Sequence, residues 1–88
     1  MQPNSINAVV YSQKNCQGCD AAKALLRQYE FNVEERMLGT GERWTKQDLL
    51  SHLPGVRSVP QIIIGDTHVG GLKELQEVLA KGVLDWNW

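Results

Sequence analysis

The chain has 88 residues, of which 42% are hydrophobic, and nine basic against ten acidic residues give a net charge of −1 at pH 7. This length fits one small domain, and the balanced charge provides no general attraction to nucleic acid or membrane. No apolar run could span a bilayer, and residues 1–5 lack the basic and apolar regions of a signal peptide. We therefore predict a single monomeric domain over residues 1–88 in the cytoplasm.

Strand and helix patterns alternate in the first half of the chain. The largely apolar segment Asn7–Ser12 predicts a strand that is buried on both faces. Residues 20–29 predict a helix with Lys23 on its surface and an apolar stripe formed by Ala22, Leu25, Leu26 and Tyr29. Apolar and polar residues alternate over 31–37, which predicts a strand with one solvated face.

The second half predicts a helix, a β-hairpin and a last helix. The first of these helices begins after Thr45, a residue type that caps helices, and ends at a Pro-Gly pair. Residues 61–64 and 67–69 flank a Gly-Asp turn and predict a hairpin, and Gly70-Gly71 opens the last helix. The order β-α-β-α-β-β-α predicts an α/β fold with a mixed four-stranded sheet flanked by helices.

The only two cysteines, Cys16 and Cys19, lie between the first strand and the first helix. A helix N-terminus favours an anion such as a thiolate, the form of cysteine that attacks disulfides. A zinc site needs about four ligands, and only His52 and His68 could add to the pair. Haem attachment needs a histidine directly after the second cysteine, and Asp20 stands there instead. The pattern therefore favours a redox dithiol and predicts no metal.

Position within the helix predicts different roles for the two cysteines. Cys16 stands at the N-cap with the more exposed sulfur, so we expect it to be the nucleophile. Cys19 lies one turn further in and would attack the resulting mixed disulfide to release the reduced substrate. Lys14 adds positive charge two residues before Cys16.

Three motifs together resemble the glutaredoxins over residues 8–84. They are Cys16-Gln17-Gly18-Cys19, then Ser58-Val59-Pro60, then Gly70-Gly71 with Glu74-Leu75. The resemblance implies the thioredoxin fold with sheet order 2-1-3-4 and glutathione as the electron source. It also implies a cis peptide bond before Pro60.

The same resemblance implies a glutathione site. The backbone of Val59, beside Pro60, would pair with the cysteinyl part of glutathione, as an added strand does. The γ-glutamyl carboxylate would bind at the start of the last helix, where backbone N–H groups favour an anion. The residues implied there are Gly71, Leu72 and Lys73.

Several positions depart from the family pattern. Gln17-Gly18 replaces the usual Pro-Tyr, and Gln13 stands where the family places a lysine, so Lys14 is the predicted substitute in the glutathione site. Lys73 replaces an acid or serine that meets the glutathione ammonium. Arg43 and Arg57 are candidates for the other carboxylate.

The resemblance implies a glutathione-dependent thiol–disulfide oxidoreductase. Its expected targets are protein disulfides, including that of ribonucleotide reductase, and protein–glutathione mixed disulfides. The departures leave two alternatives open. The first is a redoxin that a flavoprotein of the thioredoxin reductase type reduces. The second is a dimeric carrier of a glutathione-ligated [2Fe–2S] cluster, because loss of the proline at Gln17 is associated with such clusters in the family.

Overall fold

A computed structural model describes residues 6–81 of the chain, and its elements alternate in the predicted order. The strands are β1 (Asn7–Ser12), β2 (Asn32–Met37), β3 (Gln61–Ile64) and β4 (Thr67–Gly70). The helices are α1 (Gln17–Gln28), α2 (Lys46–His52) and α3 (Leu72–Ala80). Within residues 6–81, no helix combines the length and the apolar character needed to cross a membrane.

The four strands form one mixed sheet in the order β2-β1-β3-β4. β1 pairs with β2 in parallel and with β3 in antiparallel orientation, and β3 pairs with β4 in antiparallel orientation. A parallel pair needs a crossover connection, and α1 supplies it between β1 and β2. The predicted α/β architecture and the thioredoxin-fold strand order are both confirmed.

The larger core lies between the sheet and the two helices α1 and α3. Alternate residues of β1 and β3 point to this face and meet the apolar stripes of both helices. The buried members of this core are Ala8, Val10, Ala22, Leu26, Phe31, Ile62, Ile64, Leu75 and Leu79. The prediction that Tyr29 joins this stripe is wrong, because α1 ends at Gln28 and the Tyr29 residue is 41% exposed.

A smaller core lies on the opposite face, under α2. Its buried residues are Tyr11, Leu49, Leu53 and Ile63. Thr45 caps α2, as predicted, because its side chain accepts the backbone N–H of Asp48 while the Asp48 carboxylate accepts the N–H of Thr45. α2 thus packs on the sheet through a short apolar stripe, while Leu50 remains 37% exposed.

Candidate active site around Cys16 and Cys19

Cys16 and Cys19 form a disulfide in the first turn of α1. Cys16 is the N-cap, as predicted, and its sulfur accepts the backbone N–H of Cys19 at 3.1 Å, so the helix begins at Gln17, earlier than the predicted residue 20. Cys19 is fully buried, whereas Cys16 is partly exposed. An external sulfur therefore has access to Cys16 and not to Cys19.

Pro60 brings the three sequence motifs together. The Val59–Pro60 peptide bond is cis, as the resemblance implied. A Cβ built on Gly18 would lie 3.5 Å from Cδ of Pro60, and one built on Gly71 would lie 3.6 Å from the Pro60 carbonyl oxygen. Pro60 therefore lies between the segment that joins the two cysteines and the start of α3.

The side chain of Gln61 fixes the segment that precedes Pro60. Gln61 is 7% exposed, its Nε2 donates to the Ser58 carbonyl at 2.9 Å, and its Oε1 lies 2.8 Å from Nε2 of His68. Sequence reasoning gave this residue no role. The available signal was a polar residue at the start of an otherwise apolar, buried strand.

A cleft of about 460 Å³ opens beside Val59, between this segment and α2. Of the described residues that line it, Lys46 and Arg57 are cationic and none is acidic. Gln13 and Val59 belong to the same lining, together with apolar side chains of α2 and its flanks. A ligand that carries a carboxylate beside an extended backbone is the chemistry that this cleft fits.

Two cations predicted for the glutathione site do not line this cleft. The Lys14 side chain is 76% exposed, and its Nζ lies 3.6 Å from Oε2 of Glu42. The Arg43 guanidinium stacks over Trp44 at 5.2 Å and lines a separate cleft next to β2. Of the two predicted arginines, only Arg57 shares a cleft with Val59.

The start of α3 is capped by the carboxylate of Glu74, a residue of the same helix. The N–H of Gly71 donates to Oε1 of Glu74 at 2.9 Å, and this hydrogen bond lowers the pKa of the Glu74 carboxyl. Gly70 has a φ of 119°, and a Cβ there would come within 3.1–3.3 Å of the Glu74 side chain, so only glycine fits. Leu72 packs against the larger core and Lys73 is exposed.

A charged cluster lies under α1 beyond the cysteines. Lys23 donates to Glu35 on β2, and Ser12 Oγ donates to the same Glu35 oxygen at 2.7 Å. The hydrogen bond to Glu35 raises the pKa of Lys23, and the hydrogen bond from Lys23 lowers the pKa of Glu35. The prediction that Lys23 lies on the surface is wrong, since its side chain is only 13% exposed.

Metal-ligating side chains do not cluster in residues 6–81, where no group of three or more His, Cys, Asp or Glu could hold a metal ion. The iron–sulfur alternative stays a prediction. Anaerobic reconstitution followed by visible absorption and size measurement would test it.

Known proteins resemble the chain over most of its length. The glutaredoxin family model matches residues 8–69. A glutaredoxin of Neisseria meningitidis serogroup A is 38% identical over 78 residues, which cover 86% of this chain and 88% of that protein. Glutaredoxin-C8 of rice (Oryza sativa subsp. japonica) is 32% identical over 81 residues, which cover 89% of this chain but only 60% of the longer rice protein.

The fold is similar to that of a buckwheat glutaredoxin solved in complex with glutathione. The TM-score is 0.67 and the sequence identity is 28%, with 90% of this chain and 73% of the buckwheat chain covered. The family match spans the cysteine pair, the cis-proline and the hairpin that precedes α3. The chain therefore belongs to the glutaredoxins, a family of thiol–disulfide oxidoreductases.

Proposed function

We propose that this chain reduces protein disulfides and protein–glutathione mixed disulfides with electrons from glutathione. The observation that carries the proposal is the asymmetry of the cysteine pair. Cys16 is partly exposed at the helix N-cap beside cis-Pro60, while Cys19 is fully buried behind it. This arrangement suits a dithiol enzyme in which one sulfur meets the substrate and the other meets only its partner.

Cys16 begins the reaction in the reduced protein. Its thiolate accepts a hydrogen bond from the N–H of Cys19 and lies in the positive field of the α1 N-terminus. Both effects favour the anion. The sulfur attacks one sulfur of the substrate disulfide, forms a mixed disulfide and displaces the other sulfur as a thiolate. Cys19 then attacks Sγ of Cys16, which forms the Cys16–Cys19 disulfide and releases the second substrate sulfur.

Glutathione would reverse the oxidation in two steps. The oxidised Cys16 accepts attack from a first glutathione, which leaves Cys19 as a thiol and Cys16 glutathionylated. A second glutathione then attacks the glutathione sulfur, which restores Cys16 and yields glutathione disulfide. Two electrons and two protons pass from two glutathione molecules to the protein, so the exchange balances.

The proposed pose places glutathione along Val59. The backbone of Val59 would pair with the cysteinyl unit, and a carboxylate would meet Arg57 and Lys46 in the cleft. The γ-glutamyl carboxylate would lie at the start of α3 with Gly71, Leu72 and Lys73, where it would replace the Glu74 carboxylate on the Gly71 N–H. The glutathione complex of the similar buckwheat protein supports glutathione as the ligand.

The proposed protein targets include the disulfide of ribonucleotide reductase, with the chain acting as a monomer. A test compares reduction of that disulfide with reduction of a glutathionylated peptide in the same glutathione-coupled assay. Turnover of both supports the dithiol mechanism. Turnover of the peptide alone would limit the chain to chemistry that needs only one cysteine.

The central experiment replaces each cysteine in the glutathione-coupled assay. Cys16→Ser is expected to abolish all activity, because Cys16 is the accessible one of the two cysteines. Cys19→Ser is expected to lose reduction of protein disulfides and to retain deglutathionylation, which needs only Cys16. Equal and partial losses from both substitutions would contradict the assigned roles.

The electron donor needs its own comparison. The chain is assayed with glutathione and glutathione reductase, and in parallel with a flavoprotein of the thioredoxin reductase type. We expect turnover with the first system. Turnover only with the second would replace the glutathione proposal by the flavoprotein alternative.

A further inference from the structure

Lys23 and Glu35 form an ion pair under the helix that carries Cys19, and no step described so far uses it. We propose that Lys23, anchored by Glu35, is a positioning residue whose ammonium group favours the thiolate form of Cys19 during resolution of the mixed disulfide. This inference rests on the proposed dithiol function and adds a residue to it.

Helix geometry directs the Lys23 side chain towards the turn that holds Cys19. Residues four apart in a helix lie on the same face, with Cβ atoms about 5–6 Å apart. Helical side chains lean towards the helix N-terminus. Lys23 follows this rule, because its Nζ lies 3.4 Å from Oδ1 of Asp20, the neighbour of Cys19.

Glu35 anchors the ammonium group from the sheet. Glu35 pairs with Val10 in the parallel register, so its side chain points to the α1 side of the sheet, where Val10 is in the larger core. The carboxylate accepts from Lys23 and from the fully buried Ser12 at the end of β1. The Lys23 side chain is only 13% exposed, so water screens its charge less than that of a surface lysine.

Lys23 is the cation of α1 that shares the buried helix face with Cys19. Asp20 and Glu35 are the carboxylates that face the same region, and Asp20 has a side chain that is 77% exposed and well solvated. Arg27 stands one turn beyond Lys23 and is exposed. The remaining charges near the site are the exposed Lys14 with the partly exposed Glu42, the exposed Lys73 and Glu74 on α3, and the cleft cations Lys46 and Arg57, while β1 and β3 contain no charged residue.

The resolving step gives this cation a function. Burial disfavours the charged form of a thiol, so the fully buried Cys19 would otherwise stay protonated. Cys19 transfers its proton to water and its thiolate attacks Sγ of Cys16. The Cys16–Cys19 bond forms, the bond from Cys16 to the substrate breaks, and the substrate leaves as a thiolate that takes up a proton.

The test measures the pKa of Cys19 directly. In the Cys16→Ser chain Cys19 is the only thiol, so thiolate ultraviolet absorbance against pH reports this residue once the tyrosine titration of the Cys16→Ser, Cys19→Ser chain is subtracted. In that background Lys23→Gln removes the charge but keeps a donor for Glu35, and we expect the Cys19 pKa to rise. Glu35→Gln removes the opposing charge but keeps an acceptor, and we expect the Cys19 pKa to fall. Lys23→Arg should preserve the parent value.

Arg27→Gln is the matched control, since it removes a cation from the same helix one turn further from Cys19. Its Cys19 pKa should match the parent. Shifts of the same sign in Lys23→Gln and Glu35→Gln would indicate a structural disturbance and overturn the proposal. An unchanged pKa in Lys23→Gln, or an equal shift in Arg27→Gln, would also overturn it.

A kinetic measurement completes the test. With both cysteines present, the mixed disulfide of Cys16 with nitrothiobenzoate releases a coloured thiolate when Cys19 attacks. Each unit of pKa rise lowers the thiolate fraction about tenfold, but the more basic thiolate is more nucleophilic, so we expect Lys23→Gln to slow release about threefold. An unchanged rate in Lys23→Gln would overturn the proposal. The pKa titration uses neither glutathione nor a protein substrate, so it remains interpretable even where the proposed glutathione activity fails.

Discussion

The two faces of the sheet are stabilised in different ways. The α1/α3 face buries a continuous apolar core, and Leu26 and Leu75 within it are completely inaccessible. The α2 face has a smaller core and relies on directional contacts. Tyr11 Oη accepts from Arg36 at 2.7 Å and bonds to Nδ1 of His52 at 2.7 Å, and the Arg36 guanidinium stacks over Trp44 at 4.4 Å.

The two parts of the candidate site rest on different faces of the sheet. The cysteine pair belongs to α1, which rests on the larger core, whereas the cleft beside Val59 is walled by α2, which rests on the smaller one. The reacting sulfurs are therefore positioned by extensive packing. The proposed ligand cleft is positioned by few buried side chains and a small number of polar contacts. Substitutions on the two faces can separate these contributions.

The largest effect is expected from Leu26→Ala on the α1/α3 face. Truncation of a fully buried leucine removes apolar burial and leaves a cavity, so we expect the free energy of unfolding to fall by about 3–4 kcal/mol. Denaturant unfolding of the oxidised protein measures this loss. Leu25→Ala, in the partly buried neighbour, is the control and should lose clearly less. Similar losses in both variants would contradict the described core.

A smaller loss is expected from Leu49→Ala on the α2 face. Leu49 is 4% exposed and belongs to a core of few members, so the surrounding side chains can move into the space that it leaves. We therefore expect the free energy of unfolding to fall by about 2 kcal/mol. Leu50→Ala, at a 37% exposed neighbour, should lose under about 1 kcal/mol in the same unfolding assay. If Leu49→Ala destabilised the protein as much as Leu26→Ala, the two faces would not differ as proposed.

Tyr11→Phe removes the hydroxyl that joins Arg36 to His52 and keeps the ring. We expect a loss of about 1–2 kcal/mol in unfolding free energy, because two part-buried partners lose a hydrogen bond. Arg36→Lys tests the stacking separately, since lysine retains the charge but not the planar group over Trp44. A Tyr11→Phe protein as stable as the parent would show that packing alone secures this face.

The smallest effect concerns pH and the Glu35–Lys23 pair. The pKa of Glu35 is lowered in the fold, so its stabilisation is present above the ordinary carboxyl pKa and is lost as pH falls through the lowered value. The pKa of Lys23 is raised, so its contribution is present below the ordinary lysine value and is lost as pH rises through the raised one.

The free energies of unfolding of the parent and of Glu35→Gln should therefore become more similar as the pH falls. Between neutral pH and about pH 3, we expect the free energy of unfolding of Glu35→Gln to fall by less than that of the parent, with a difference of up to about 1 kcal/mol. Asp66→Asn, at an exposed turn carboxylate, serves as the control and should follow the parent. Parallel pH profiles for the parent and Glu35→Gln would contradict a contribution from the pair.

The sequence predicted the elements because its local signals agree with the fold. β1 and β3 have the bounds that their apolar runs indicated, and the Thr45 cap forms as its residue type suggested. The prediction that Cys16 stands at the N-cap of α1 is confirmed. Only the first helical residue differed, Gln17 instead of residue 20, because Gly18 in the first turn is a poor helix former.

The residues of the candidate site that belong to sequence motifs were predicted. The contacts between side chains of different helices and strands were not. Cys16 and Cys19 were indicated by their own spacing, and the cis-Pro60 bond was implied by the resemblance to the glutaredoxins. The inward position of Glu35 follows from strand alternation, but its partner Lys23 comes from a helix and Ser12 from another strand. Arg36 was expected to be solvated, yet it stacks on aromatic rings from two other segments.

Gln61 has a consequence for the thermodynamics of ligand binding. Its amide holds the Ser58 carbonyl and contacts His68, so the segment next to Val59 is ordered by the protein's own strand before any ligand arrives. The conformational entropy of that backbone is therefore lost during folding rather than during association. A thiol peptide that pairs with Val59 would bind to a preorganised edge, and its affinity would depend on the amide of a residue that it never touches.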